Sequence, residues 1–472
     1  MSDLKKKGEI AAAETYGGIL GGVLPLIVMI VVMIALAASG LRSTKNFWSA
    51  GVAAVVVGFL VYKDKSRFQN ALLGGVKDNI FAFLIASLLF AGILSKILTA
   101  SHLVSAMLWA ASQVHLAPSM MPLLVFLLGV VLSSATGSAA ATVTTVTPVM
   151  LPVAVAMGCD VNVVCGAIMS GACFGDNLAP ISDTTIASSL TQEVSIIRVV
   201  KSRIKYSLLA GAAAAVAFVI VGISTTNPVA ASAAAVDATY ASSLVFLIIP
   251  VVVVVMMLNK ANFFTAILVA ELLGIIMLLP FGYLKIAALV AKDGLIASGF
   301  DGMINSIIFL LFIFFVVSII REAGVLEAFL KAMKKFAKSD LTAEIAAGGM
   351  VSIMSIAISS GTSAITFCGP IIRGLLRPFK IDRARAANFL DGLGCGVGYL
   401  VPTNAGCMVL ASLAVAAGVV KEGYNPIEFV VFNFHSMALV IVFWFAILSG
   451  WGRKHETDEE LLADGIVIEE AS

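Results

Sequence analysis

Two aspartates seven residues apart, Asp176 and Asp183, stand in the stretch 171–185, Gly-Ala-Cys-Phe-Gly-Asp-Asn-Leu-Ala-Pro-Ile-Ser-Asp-Thr-Thr. Their surroundings are almost free of charge, and hydrocarbon does not tolerate carboxylates without compensation. An ionisable side chain at membrane depth therefore marks a functional site by default. Gly175 and Pro180 flank Asp176, so a helix through this stretch should break. A broken helix exposes carbonyls and a half-helix N-terminus, the parts from which secondary transporters build ion sites. Asp176 and Asp183 are thus candidates for binding a proton or a small cation such as Na⁺. Asn177, Ser182 and Thr184 offer neutral oxygens beside them.

The elements that must position these groups follow from composition. The 472 residues are 60% hydrophobic and only 12% charged, with a mean hydropathy of +1.05. Soluble proteins carry about twice that charge. The fold class expected is an all-α polytopic membrane protein with about 11–14 transmembrane or re-entrant segments. The basic residues fall in short loops, leaving no nucleic-acid footprint, and the cysteines form no CxxC pair. Loop charge follows Lys5–Lys7, Lys63–Lys77, Arg198–Lys205, Arg321–Lys338, Arg373–Arg385 and Arg453–Lys454. By the positive-inside rule these loops and both termini are cytoplasmic, in the cell membrane. The expected organisation is a cytoplasmic segment 1–18, one transporter domain 19–450 and a cytoplasmic acidic tail 451–472.

An internal repeat supplies the rest of the site. Residues 133–140, Ser-Ser-Ala-Thr-Gly-Ser-Ala-Ala, are answered at 359–366 by Ser-Ser-Gly-Thr-Ser-Ala-Ile-Thr. Leu178-Ala-Pro-Ile-Ser182 is answered by Leu400-Val-Pro-Thr-Asn404, and the offset stays within 222–226. Repeat one covers about 79–224 and repeat two about 303–450, each a hairpin followed by a broken helix. Because loop charge is opposite at corresponding points, the repeats should be inverted in the membrane, as alternating access requires. The hydroxyls of Thr136, Ser138, Thr362 and Ser363 are suited to a hard cation, and Asn404 replaces Ser182 in the second repeat. Asp391 is either a third site carboxylate or a partner of Arg383 or Arg385. Glu271 reads as interhelical glue or a proton relay, and His435 as structural.

At residues 175–185, Gly-Asp-Asn-Leu-Ala-Pro-Ile-Ser-Asp-Thr-Thr, the chain resembles the NhaC family of bacterial Na⁺/H⁺ antiporters within the ion-transporter superfamily. The resemblance implies Na⁺/H⁺ exchange with Asp176 and Asp183 as the Na⁺ ligands. The family's hairpins read Gly-Thr-Ser-Trp-Gly-Thr, whereas neither hairpin here carries tryptophan. That departure bears on the substrate more than on the fold.

The function expected is exchange of Na⁺ for H⁺ by alternating access, with no cofactor, a small cation as cargo and the lipid bilayer as surroundings. A homodimer is compatible with this reading. The alternative is a Na⁺- or H⁺-coupled carrier of a small carboxylate or amino acid, using the same hairpins. The absence of arginine from both hairpin cores favours the cation. An intramembrane aspartyl protease is disfavoured, because that class carries its two aspartates on separate helices; no enzyme activity is expected.

Overall fold

The structure, a computed structural model, describes residues 13–41, 43–113, 116–227, 238–259 and 261–457. Residues 1–12, part of the 225–242 loop and residues 458–472 of the acidic tail lie outside the described residues. The helices are α1 (Ile19–Ala38), α2 (Thr44–Val61), α3 (Lys65–Val76), α4 (Asn79–Ala100), α5 (Leu103–Gln113), α6 (Met121–Thr136) and α7 (Ala139–Ala156). There follow α8 (Val161–Leu178), α9 (Asp183–Thr191), α10 (Ile196–Thr225), α11 (Ile248–Leu258), α12 (Phe263–Leu278), α13 (Ile286–Val290) and α14 (Leu295–Glu322). The last are α15 (Val325–Lys334), α16 (Asp340–Ile358), α17 (Gly361–Leu376), α18 (Arg383–Gly398), α19 (Ala405–Ala416) and α20 (Phe434–Ser449).

Among the described residues, ten helices are long and apolar enough to cross a membrane, or eleven if the bent pair within 426–449 is one span. Two shorter apolar helices, α12 and α19, add to them. The chain is an all-α polytopic membrane protein, as its hydropathy predicts.

The chain forms two compact units. Residues 1–85 and 307–333 make the first. There α1 packs on α2, and Gly51 admits Phe312 where a Cβ would lie 2.4 Å from its ring. The Tyr62 hydroxyl donates to the Ile319 carbonyl at 2.6 Å, and Arg67 pairs with Glu322 at 2.7 Å.

Residues 86–306 and 334–472 make the second unit, which holds the candidate site. Helices α6 and α8 touch backbone to backbone. A Cβ on Gly171 would stand 2.6 Å from the Phe126 carbonyl oxygen, and one on Gly175 would stand 2.2 Å from the Ser133 carbonyl carbon. Lipid supplies no hydrophobic drive between helices, so this small-residue approach supplies the packing. Two hydroxyls inside α7 are satisfied locally: Thr142 donates to the Ser138 carbonyl at 3.0 Å and Thr144 to Ala140 at 2.9 Å.

The repeat is visible residue by residue. Gly137 ends α6 with φ 64°, ψ 23°, and Ser138 caps α7 from an extended conformation; Ser359 ends α16 with φ 55°, ψ 27°, and Ser360 caps α17 likewise. Asp160 caps α8 and Asp382 caps α18, each accepting two backbone N–H groups. Ser182 precedes α9 as Asn404 precedes α19. Every one of these pairs is 222 positions apart. The match of 133–140 with 359–366, drawn from sequence at an offset of 226, is thereby corrected: Gly137 corresponds to Ser359. A left-handed turn residue was conserved in conformation but not in type. The repeats also exchange elements, since α9 packs on α17 and α19 packs on α7.

The start of α18 is clamped by the chain's C-terminal stretch. Glu344 lies between Arg385 (2.6 Å) and Arg453 (2.6 Å), and Glu456 pairs with Arg383 (3.0 Å) and Arg198 (3.1 Å). The Asp382 N–H donates to the Lys454 carbonyl and the Glu456 N–H to that of Lys380.

Candidate functional site

The first broken helix runs through Gly175 and stops at Leu178, because Pro180 has no N–H to continue the ladder. Asp176 is thus in the last turn of α8, and it is buried. Its Oδ1 accepts a hydrogen bond from Ser182 Oγ at 2.7 Å. Its Oδ2 accepts one from the Tyr399 hydroxyl at 2.7 Å. Thr184 Oγ1 donates to the Asp176 carbonyl at 2.9 Å and lies 2.9 Å from Ser182 Oγ. The break between α8 and α9 is therefore folded onto the aspartate by its own hydroxyls.

Asp183 opens α9 and is exposed. Its Oδ1 accepts the Thr184 N–H at 3.0 Å, and its Oδ2 accepts Thr362 Oγ1 at 3.1 Å. Thr362 lies in the first turn of α17, so this bond links the break of repeat one to the hairpin of repeat two. A buried carboxylate and an accessible one are joined through Ser182 and Thr184.

Beneath them lies a dry ion pair. Asp391 in α18 and Arg203 in α10 are both fully buried and bonded through Asp391 Oδ2 and Arg203 Nη1. Asn177 Nδ2 donates to Asp391 Oδ1 at 3.0 Å, and Thr185 Oγ1 donates to Oδ2 at 3.2 Å. Arg203 also donates to the Asn177 carbonyl, to Thr185 Oγ1 (3.1 Å), to Ser188 Oγ (3.3 Å) and to Asn388 Oδ1 (3.1 Å). Such extra hydrogen bonds are what a buried pair requires to offset desolvation.

Sequence reasoning misplaced two of these groups. Arg383 and Arg385 pair with Glu456 and Glu344, not with Asp391. Arg203 is not in a cytoplasmic loop, since α10 begins at Ile196 and carries it inside the protein. Tyr399 carried no signal as an isolated tyrosine. It occupies in repeat two the position of Asn177 in repeat one, 222 residues earlier. A fixed repeat register would have found it.

The remaining candidates divide. Ser182, Thr184 and Asn177 join the aspartates directly, and Thr362 reaches Asp183. Thr136 donates to the Leu132 carbonyl, Ser138 Oγ caps Ala141, and Ser363 bonds Ser360. Asn404 Oδ1 caps Gly406, and its Nδ2 donates to the Ser359 carbonyl at 3.3 Å. These four shape the hairpin tips and breaks rather than touching a carboxylate. Glu271 is buried in α12 with Oε1 unbonded among the described residues. The His435 ring is buried 5.1 Å from that of Phe174.

Residues 10–223, which include both aspartates and Arg203, match the Na⁺/H⁺ antiporter family. A malate-2H⁺/Na⁺-lactate antiporter of Bacillus subtilis is 32% identical over 162 residues, covering 34% of this chain and 33% of that protein. A Na⁺/H⁺ antiporter NhaC of Alkalihalophilus pseudofirmus is 31% identical over 132 residues, 28% of each chain. A Na⁺/H⁺ antiporter NhaC of Bacillus subtilis is 27% identical over 159 residues, 34% of each. The chain thus spans about a third of the length of these relatives. Through residues 10–223 the chain is similar to the Na⁺/H⁺ antiporter family.

Proposed function

We propose that this protein is a secondary antiporter exchanging Na⁺ for H⁺ across the cytoplasmic membrane by alternating access, with both termini in the cytoplasm. The observation that carries the reading is Asp176, a buried carboxylate at a helix break whose two oxygens are held by Ser182 and Tyr399. The hydroxyls of Ser182 and Tyr399 offer lone pairs to a hard cation once their protons turn away, and the Cys395 thiol lies 3.9 Å from Oδ2. Na⁺ and H⁺ then compete for Asp176, with Asp183 as the accessible second carboxylate. Exclusive occupancy by one or the other couples the two fluxes without a cofactor. Thr362 on Asp183 ties occupancy to the opposite hairpin, which alternating access has to move. No bond-making chemistry is proposed. The bilayer is its surroundings, and a homodimer is one mode of assembly.

A second reading is exchange of an organic acid, favoured by the malate-2H⁺/Na⁺-lactate relative and by Arg203 near the site. Against it, the Arg203 guanidinium is already neutralised by Asp391 and wrapped by four further acceptors. Reconstituted protein with a trapped pH indicator separates the two. Na⁺ or Li⁺, but not choline, should move protons in wild type and not in Asp176→Asn. Proton movement driven only by malate or lactate would transfer the assignment to the organic-acid reading.

A further inference from the structure

A cavity of about 560 Å³ opens between the start of α10, the start of α18 and the C-terminal stretch. Its volume is that of a small-ligand pocket. Arg198, Lys201, Lys205, Lys454, Ser202 and Asn388 are among its lining. Two of the cations that line it are already neutralised: Arg385 by Glu344, and Arg198 by Asp382 and Glu456. Among the described residues the one acidic lining residue, Asp382, is spent on Arg198 and on capping α18. Lys201, Lys205 and Lys454 have no acidic partner among the described residues. Lys205 is fixed over aromatic faces, 4.8 Å from the Tyr206 ring centre and 5.3 Å from that of Trp451.

We propose that this cavity binds a phosphate-bearing anion. Three lysines lining one space match a group with several charged oxygens better than a single carboxylate. The face of α10 beside the lysines suits a lipid as the bearer of that phosphate. Ile197, Ile204 and Leu208 are exposed apolar residues at 66%, 44% and 53% of their surface, interleaved with Lys201 and Lys205. A headgroup on the lysines would leave acyl chains along that stripe, the arrangement by which basic clusters hold anionic lipids. The cavity also adjoins the ion pair of the site, because its wall residue Asn388 donates to Ser202 at 2.8 Å and accepts from Arg203 at 3.1 Å. The binding claim itself does not depend on the transported ion.

The test is the melting temperature of the purified full chain in neutral detergent. The additives are short-chain phosphatidylglycerol, phosphatidylcholine of equal chain length, and inorganic pyrophosphate. Phosphatidylglycerol should raise it by about 2–4 °C, the shift expected for ligand several-fold above its Kd. Phosphatidylcholine should not. The variant Lys201→Ala/Lys205→Ala/Lys454→Ala should lose most of that shift, whereas Lys331→Ala/Lys335→Ala keeps it. If the triple variant does not fold, Lys201→Gln alone should weaken the shift measurably. Equal shifts with pyrophosphate mean that the phosphate group suffices, and a shift with the lipid alone adds the apolar stripe as a requirement; both support the proposal. No shift in the full chain, or one that survives loss of the lysines, overturns it. A shift that emerges only when the chain is ended at Thr457 also overturns it and makes the acidic tail the occupant.

Discussion

The Tyr399 hydroxyl donates to Asp176 Oδ2 at 2.7 Å, joining the broken helices of the two repeats through residues 223 positions apart. The break of repeat two thus contributes to the chemistry at the break of repeat one. Removing the hydroxyl while keeping the ring isolates this bond. Tyr399→Phe should fold as wild type but carry out Na⁺-driven proton movement about 10-fold more slowly, the scale of one charge-assisted hydrogen bond. Flux in liposomes with a pH dye checks this, and wild-type flux in the variant would mean the bond is not used.

Asp391 and Arg203 are best tested as a pair. Asp391→Asn leaves a guanidinium buried without a countercharge and should cost about 3–5 kcal/mol of stability. Replacing both at once, Arg203→Met with Asp391→Leu, should restore much of that loss. Melting curves of the two singles and the double give the coupling directly. An additive double would show that the pair is not an energetic unit.

Gly175 should not accept a side chain. A Cβ there would lie 2.2 Å from the Ser133 carbonyl carbon and the Ser134 nitrogen, so α6 and α8 would have to separate. Gly175→Ala should therefore fail to give folded protein or lose all transport. Gly349 has nothing within 4 Å of its position, and Gly349→Ala should be neutral or slightly stabilising. Size-exclusion profiles of both variants decide the point.

Cys159, in the turn between α7 and α8, should be unreactive. Burial pushes its thiol up to about 11 from an ordinary value of 9.0. At pH 8 about a thousandth is thiolate, so maleimide labelling should run about 100-fold slower than on a free thiol. The stability tied to the neutral buried thiol is complete below pH 9 and is lost as pH rises towards 11. Labelling rates at pH 8 and pH 10 in a variant lacking the other cysteines measure both effects. Labelling at the free-thiol rate at pH 8 would place Cys159 at the surface.

The hydropathic runs, the break at Pro180 and the two aspartates were legible because each depends on local chemistry: apolar length, a missing N–H, a charge where none is tolerated. The hairpin hydroxyls were legible as a class but not by role. Whether a serine caps a helix, as Ser138 does, or holds a carboxylate, as Ser182 does, depends on what folds back over it.

Charge pairing was not legible at all. Arg203 lies in a basic run, Arg198–Lys205, that reads as a loop, yet α10 turns it inward while Lys201 and Lys205 stay at the surface. Helical phase, set by where α10 begins, separates residues that composition treats as alike. The sequence by itself determined a membrane-embedded, twice-repeated helical chain with a carboxylate pair at a break. Only the tertiary structure decided that Asp176 is held by Tyr399, and that Asp391 answers Arg203 rather than the arginines beside it. Those contacts join residues about 190–220 positions apart, and a linear pattern carries no information about which distant faces meet.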